Sequence, residues 1–266
     1  MGDSDQVEKN VFPKTRYILP FLIGLGLLLY GILWWVSPYL SENTYWLAEY
    51  STYLVYVAVV LIILKTKKIN LFKSKADVRS ILKTCVLMIL ALVFALGSIA
   101  LFSLLLPEIY EDEGFDVLVK FDPFYLGFAG FLSMVLLAPF WEELVFRELV
   151  LHRWAQKWNA SRAIVLSSLL FAFFHPLDII GAFLFGLILA VQYLKTKNIL
   201  IAIMGHSFYN GLLFLFFLTD YLWFNDVAEN VEEPTARGIL IFSLISIMLS
   251  LPFLIYWLKK NWPKAT

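Results

Sequence analysis

Runs of about 20 apolar residues recur along the chain and alternate with short polar stretches. They lie at 17–37, 46–64, 84–106, 124–149, 163–180, 181–194, 199–219 and 238–258. A helix of about 20 apolar residues crosses a bilayer core, because its backbone polar groups are satisfied within the segment. The pattern predicts eight membrane-spanning helices. The fifth and sixth are short and are separated by a tight turn at Pro176, Asp178 and Gly181, so a pair of re-entrant or tilted helices is the alternative there.

The composition supports an integral membrane protein. Hydrophobic residues make up 61% of the 266 residues and charged residues only 16%, against roughly 25% charged residues in soluble domains. We therefore predict an all-α polytopic helix bundle, with the lipid bilayer as a partner and no nucleic acid. No linker composition or internal repeat divides the chain, which predicts one domain over 1–266. The single cysteine, Cys85, excludes an intrachain disulfide and a multi-cysteine metal site.

The charges predict how the helices are oriented. With the N-terminus inside, 18 of the 21 basic residues fall in inner segments, whereas acidic residues collect in outer loops around 108–122 and 220–233. Cytoplasmic loops carry an excess of Lys and Arg. The sequence therefore predicts eight spans with both termini inside, in the plasma membrane, and a site that faces the cytoplasmic side.

The fourth span carries charged residues within an apolar helix. Glu142 and Glu143 are adjacent, and Arg147 lies four residues after Glu143. Positions i and i+4 share a helix face, so Arg147 is predicted to pair with Glu143. Glu142 points about 100° away and is left as the less compensated carboxylate, suited to act as a general base. The alternative is that this charged cluster lies at the cytoplasmic edge of the membrane and is solvated. For Glu148, this alternative fits better than a functional role.

Two further spans carry polar residues at a similar depth. His175 ends the stretch Phe171–His175, and His206 lies four residues before Asn210. Counted at about 1.5 Å per residue from the predicted inner ends, Glu142, His175, His206 and Asn210 lie between about 11 and 18 Å deep. Charged groups at this depth are costly and are functional candidates by default. We therefore expect the four side chains to share one site, and we place His152 outside it, at the inner interface.

This set of residues suits the activation of water for attack on a carbonyl group. Glu142 would take the proton, and His175 would orient the water or ligate a metal. His206 and Asn210 would donate to the oxyanion. The spans contain no GxSxG, HExxH or GxGD motif, which disfavours serine, HExxH zinc and aspartyl mechanisms.

Three motifs resemble those of the CPBP (Abi) family, which includes the type II CAAX prenyl endopeptidases and bacteriocin-immunity relatives. They are EExxxR at Glu142, Glu143 and Arg147, FxxxH at Phe171 and His175, and HxxxN at His206 and Asn210. The family core would cover about residues 120–220 and would act as the catalytic core. Many members have Gly after the Arg of the first motif, where this chain has Glu148.

The resemblance implies an intramembrane peptidase that cleaves membrane-associated peptides, including prenylated CAAX-type substrates. Members are commonly described as metalloproteases, and a glutamate-activated water without a metal is the alternative. In the metalloprotease case, a divalent metal such as zinc would be ligated by Glu142, His175 and His206. Glu143 would then be the remaining residue that could act as the base. Catalytic roles are expected for Glu142, His175, His206 and Asn210, and supporting roles for Glu143, Arg147 and Phe171.

Two other function classes are open. A non-catalytic membrane protein, such as an immunity or scaffold factor, would bind a partner in the same polar cavity. A proton-coupled transporter also uses buried Glu and His residues. The motifs lie in one part of the chain, without a second polar set that would suggest inverted repeats, and this disfavours a transporter.

Overall fold

The computed structural model describes residues 14–66, 76–107, 127–224 and 235–264. These residues form helices joined by turns, with no strand among them, which confirms the predicted all-α helix bundle. The N-terminal segment 1–13, the basic stretch 67–75 and most of the two predicted acidic loops lie outside the described residues. Residues 120–126 of the predicted catalytic core also lie outside them.

Seven regular helices and one irregular helix make up the described part of the chain. They are α1 (Thr15–Val36), α2 (Glu42–Thr66), α3 (Val78–Leu105), the irregular α4 (128–157), α5 (Ala160–Phe173), α6 (Ile179–Thr196), α7 (Ile199–Phe224) and α8 (Ala236–Asn261). Among the described helices, six are long and apolar enough to cross a membrane: α1, α2, α3, α6, α7 and α8. Helix α5 has only 14 residues. The count of eight spans and the orientation of both termini stay predictions.

Helix α4 alternates between α and π geometry. Its segments are α at Phe128–Phe131, π at Leu132–Leu137, α at Ala138–Glu143, π at Leu144–Leu151 and α at His152–Lys157. A π turn bonds each N–H to the fifth carbonyl before it, so it changes the helical register, and such turns are frequent at functional sites. The charged pair Glu142 and Glu143 therefore ends a short α segment held between two π segments.

Helix α3 lies against α6, α7 and α8. Its contact with α8 depends on Gly97, because a Cβ there would stand 2.7 Å from Ser246 Cβ and 3.1 Å from the Ser243 carbonyl. Small residues at such contacts let helices approach closely when lipid gives no hydrophobic drive for association. Helix α7, which carries His206, packs against the same helix α3.

The turn between α5 and α6 positions His175. Helix α5 ends at Phe173, and Pro176 follows His175, whose φ of −126° and ψ of 62° lie outside the helical region. The residue before a proline is disfavoured in the α region. Two hydrogen bonds hold the turn: His175 N donates to the Ala172 carbonyl over 2.9 Å, and Asp178 N donates to the His175 carbonyl over 3.1 Å.

Candidate active site

Three of the four predicted catalytic side chains meet at one point. The Glu142 Oε2 atom on α4 lies 4.0 Å from His175 Nε2 and 3.9 Å from His206 Nε2 on α7. Only 13% of the Glu142 side chain is exposed, and 4% of His206. His175 is 37% exposed. Residues that are 33 and 64 positions apart from Glu142 therefore surround one small polar space.

Each histidine is oriented through its Nδ1 atom. His175 Nδ1 lies 2.9 Å from the Phe171 carbonyl oxygen, and His206 Nδ1 lies 2.9 Å from Glu143 Oε1. A carbonyl or carboxylate oxygen only accepts, so Nδ1 carries the hydrogen in both rings. The His175 ring also stacks on Phe171 at a centroid distance of 4.4 Å. Both Nε2 atoms are thereby directed at Glu142.

Glu143 and Arg147 form the ion pair that their i,i+4 spacing predicts. Arg147 Nε donates to Glu143 Oε2 over 2.9 Å, and both side chains are fully buried. The guanidinium also lies over the Phe171 ring, 5.4 Å from its centroid. Glu143 thus accepts from Arg147 with one oxygen and from His206 with the other, a second bond that the sequence did not predict.

Asn210 has a different neighbour. Its Nδ2 atom donates to the Met134 carbonyl over 2.8 Å, so one amide hydrogen ties α7 to the first π segment of α4. The structure thus gives Asn210 a bond to α4, and its predicted role at the oxyanion stays a prediction.

A cavity of about 460 Å³ opens beside these residues. Its walls come from α1, α2, α4, the end of α5 and the turn after it, with Glu142 and His175 among the lining residues. Leucines and aromatic residues form most of the surface, as in pockets that bind small apolar ligands. The walls also include Glu49 of α2, which the sequence analysis missed. The sequence feature that could have indicated Glu49 is the position of its carboxyl group inside the predicted second span.

The donor spacing suits a hydrogen-bonded water better than a zinc ion. Ligands that share a tetrahedral zinc ion at about 2.0–2.1 Å stand about 3.4 Å from each other. The gaps from Glu142 Oε2 to the two Nε2 atoms are 4.0 and 3.9 Å. Among the described residues, no group of three His, Cys, Asp or Glu side chains is arranged to hold a metal ion. Zinc ligation by Glu142, His175 and His206 stays a prediction.

The expectation of a solvated Glu148 is wrong. Glu148 is 1% exposed, and the Tyr193 hydroxyl of α6 donates to its carboxylate. His152, expected at the inner interface, is half-buried, and its Nδ1 lies 3.2 Å from the same hydroxyl. The error arose because hydropathy indicates how deep a residue lies along its own helix. It does not indicate which neighbouring helix covers the side chain.

Comparison with known proteins gives a family match over part of the chain. Residues 124–212 match the family model described as type II CAAX prenyl endopeptidase Rce1-like. No curated protein and no solved structure shows a significant match to the chain. The matched range contains Glu142, Glu143, Arg147, His175, His206 and Asn210. The family match thus covers the part of the chain that carries the three motifs, and it agrees with their resemblance to CAAX-type intramembrane proteases.

Proposed function

We propose that the chain is an endopeptidase that cleaves membrane-associated, prenylated peptides by means of a water molecule activated by Glu142. The observation that carries this proposal is the meeting of Glu142 Oε2 with the two Nε2 atoms at 4.0 and 3.9 Å. A water at about 2.8 Å from two atoms so separated subtends an angle of about 90° between them, which is acceptable for hydrogen bonding. The family match supports this substrate class.

In the proposed reaction, the water donates one hydrogen to Glu142 and the other to His175 Nε2. The water oxygen bonds to the scissile carbonyl carbon while its proton passes to Glu142, and the carbonyl oxygen becomes an oxyanion. The carbon–nitrogen bond then breaks, and the proton on Glu142 passes to the leaving amine. This is general acid–base catalysis by one carboxylate.

The oxyanion requires a hydrogen-bond donor. His206 fills this role when both of its ring nitrogens carry a hydrogen: Glu143 Oε1 holds Nδ1–H over 2.9 Å, and Nε2 lies 3.9 Å from Glu142 Oε2, where the water is proposed to lie. The buried Glu143 carboxylate stabilises that positive charge, and Arg147 offsets the charge of Glu143. Asn210 retains a second amide hydrogen beyond the one given to Met134 and is the predicted second donor. Loss of one such donor typically lowers kcat about 10²–10³-fold.

The apolar cavity beside Glu142 is proposed to hold the hydrocarbon chain of the substrate. Its walls from α1 and α2 include Leu19, Leu22, Leu27, Tyr53 and Tyr56. Such surface favours a prenyl group through the burial of apolar area. We further propose access from the cytoplasmic side of the plasma membrane, on the basis of the basic inner segments.

The test is cleavage of a fluorescent farnesylated C-terminal peptide by purified protein in detergent. Glu142→Gln and His175→Ala should each lower kcat/KM by about 10²–10⁴-fold, as expected for loss of a general base or of the residue that orients the water. His152→Ala is the matched control, because His152 lies in the separate cluster with Tyr193, and it should retain cleavage. Turnover by folded Glu142→Gln at the wild-type rate would refute the proposal.

A chelator separates the two ways of activating water. If Glu142 acts directly on the water, dialysis against a strong chelator leaves kcat/KM unchanged. If zinc is held by Glu142, His175 and His206, activity falls and returns when zinc is added. The same peptide without its farnesyl group measures how much of the affinity comes from the apolar cavity.

A further inference from the structure

Glu49 is a second carboxylate in the wall of the substrate cavity, apart from Glu142. It lies on α2, whereas Glu142 lies on α4. Its Oε2 atom is buried and has no hydrogen-bond partner among the described residues. The described lining of the cavity includes no lysine or arginine. The wall that faces a bound substrate therefore carries two carboxyl groups, and its described part supplies no lysine or arginine to pair with them.

The neighbouring hydroxyl groups on α2 bond elsewhere. Thr52 Oγ1 donates to the backbone carbonyl of Glu49 over 2.7 Å, not to its carboxylate. Tyr56 Oη donates to the Leu22 carbonyl over 3.0 Å. Tyr53 lies one helical turn after Glu49 and lines the cavity together with Glu49 and Glu142. Glu49 and Glu142 thus belong to the wall of the same cavity, and a substrate held in this cavity faces both carboxyl groups.

A carboxylate in an apolar wall is costly unless a charge or donors pair with it. Under the proposed function this cavity holds the prenyl chain of the substrate, and the peptide residues next to the scissile bond enter the same cavity at Glu142. Among peptide side chains, Lys and Arg supply both the opposite charge and the N–H donors that a carboxylate accepts. An acidic side chain at the same place would be repelled in a low-dielectric site.

We propose that Glu49 selects substrates that carry a Lys or Arg side chain within a few residues of the scissile bond. This proposal rests on the proposed peptidase function. Glu49 acts in it as a specificity-determining residue, and Glu142 keeps its role with water. A hydrogen bond to a charged group is typically worth a factor of about 10–100 in affinity, so a preference of that size is expected.

The experiment compares farnesylated fluorescent peptides that differ at one position. Lys, norleucine or Glu is placed in turn at each position within three residues of the scissile bond except the farnesylated cysteine, and kcat/KM is measured for each peptide. At one position, the wild-type protein should cleave the Lys peptide about 10–100-fold better than the norleucine peptide, which has the same chain length without the charge. The Glu peptide should be the poorest.

Two variants of Glu49 assign the preference to its carboxylate. Glu49→Gln keeps the size of the side chain and should bring the Lys to norleucine ratio close to one. Glu49→Lys should reverse the order, so that the Glu peptide becomes the best. Gel filtration and thermal unfolding establish that each variant is folded, and if Glu49→Lys is unfolded, Glu49→Gln decides alone.

Asp77→Asn is the control for loss of one negative charge. Asp77 caps α3 through a 2.9 Å bond from Ser80 N and is not part of the cavity wall. Asn is also a good N-cap residue, so this variant should be folded and keep the wild-type ratio.

The possible failures are distinct. Equal cleavage of Lys and norleucine peptides by the wild type at every position tested would overturn only the selection by Glu49, not the proposed function. A Lys preference that persists unchanged in Glu49→Gln would also overturn it. Absence of cleavage for every peptide would refute the proposed function and this proposal with it.

Discussion

Neutralising Glu143 tests whether the buried ion pair with Arg147 holds the site together. Both side chains have no exposed surface, and Arg147 Nε donates to Glu143 Oε2 over 2.9 Å. The Nη1 and Nη2 atoms of Arg147 have no hydrogen-bond partner among the described residues. In Glu143→Gln the guanidinium keeps mainly the Phe171 ring at 5.4 Å, and such a contact contributes about 2 kcal/mol when desolvated. Breaking a buried pair costs about 3–5 kcal/mol because one charge is left uncompensated.

A double-mutant cycle separates the charge effect from the loss of packing. Arg147→Met alone leaves the Glu143 carboxylate with His206 as its partner. In the double variant both replacement side chains are uncharged, and the amide oxygen of the introduced glutamine can still accept from His206 Nδ1. Replacing both members of a buried pair is often close to neutral. We expect the double variant to be more stable than either single variant. Its loss of unfolding free energy should be at least about 2 kcal/mol smaller than the sum of the losses in the two single variants.

Unfolding in mixed detergent micelles, followed by the fluorescence of the nine tryptophans, gives the free energies. Cleavage per folded molecule gives the effect on the site, and the double variant should recover part of the activity lost in Glu143→Gln. Single variants that each cost less than about 1 kcal/mol, or strictly additive costs, would refute the reasoning.

Two further variants test the packing of the bundle. Tyr193→Phe removes the hydroxyl that donates to buried Glu148 and should lower the free energy of unfolding by about 1–3 kcal/mol with cleavage per folded molecule retained; unchanged stability would contradict the buried bond. Gly97→Ala places a methyl group 2.7 Å from Ser246 Cβ and should cost about 1–3 kcal/mol by overpacking. Gly24→Ala is its control, since a Cβ there meets nothing within 4 Å, and equal stability of these two alanine variants would refute the close α3–α8 contact.

The fold class and the local pairing of the site could be predicted from the sequence. Apolar runs of about 20 residues lead to helices because the bilayer leaves no other way to satisfy the backbone. The pair of Glu143 and Arg147 follows from i,i+4 spacing within one helix. These features depend on interactions between residues that are close in the sequence, so the sequence is enough to predict them.

Features that depend on two helices could not be predicted in this way. The bond from His206 to Glu143 requires the approach of α7 to α4, and the fully buried state of Glu148 requires Tyr193 of α6. The placement of Glu49 beside the cavity depends on how α2 packs.

By itself, the sequence determined that this chain forms membrane helices and which polar residues lie within them. The tertiary structure alone decided that Glu142 Oε2 lies about 4 Å from the Nε2 atoms of His175 and His206, and that a cavity opens beside Glu142 and His175. The physical reason is that helix formation follows from local hydrogen bonds and hydropathy, whereas the meeting of side chains from different helices is set by close packing between them.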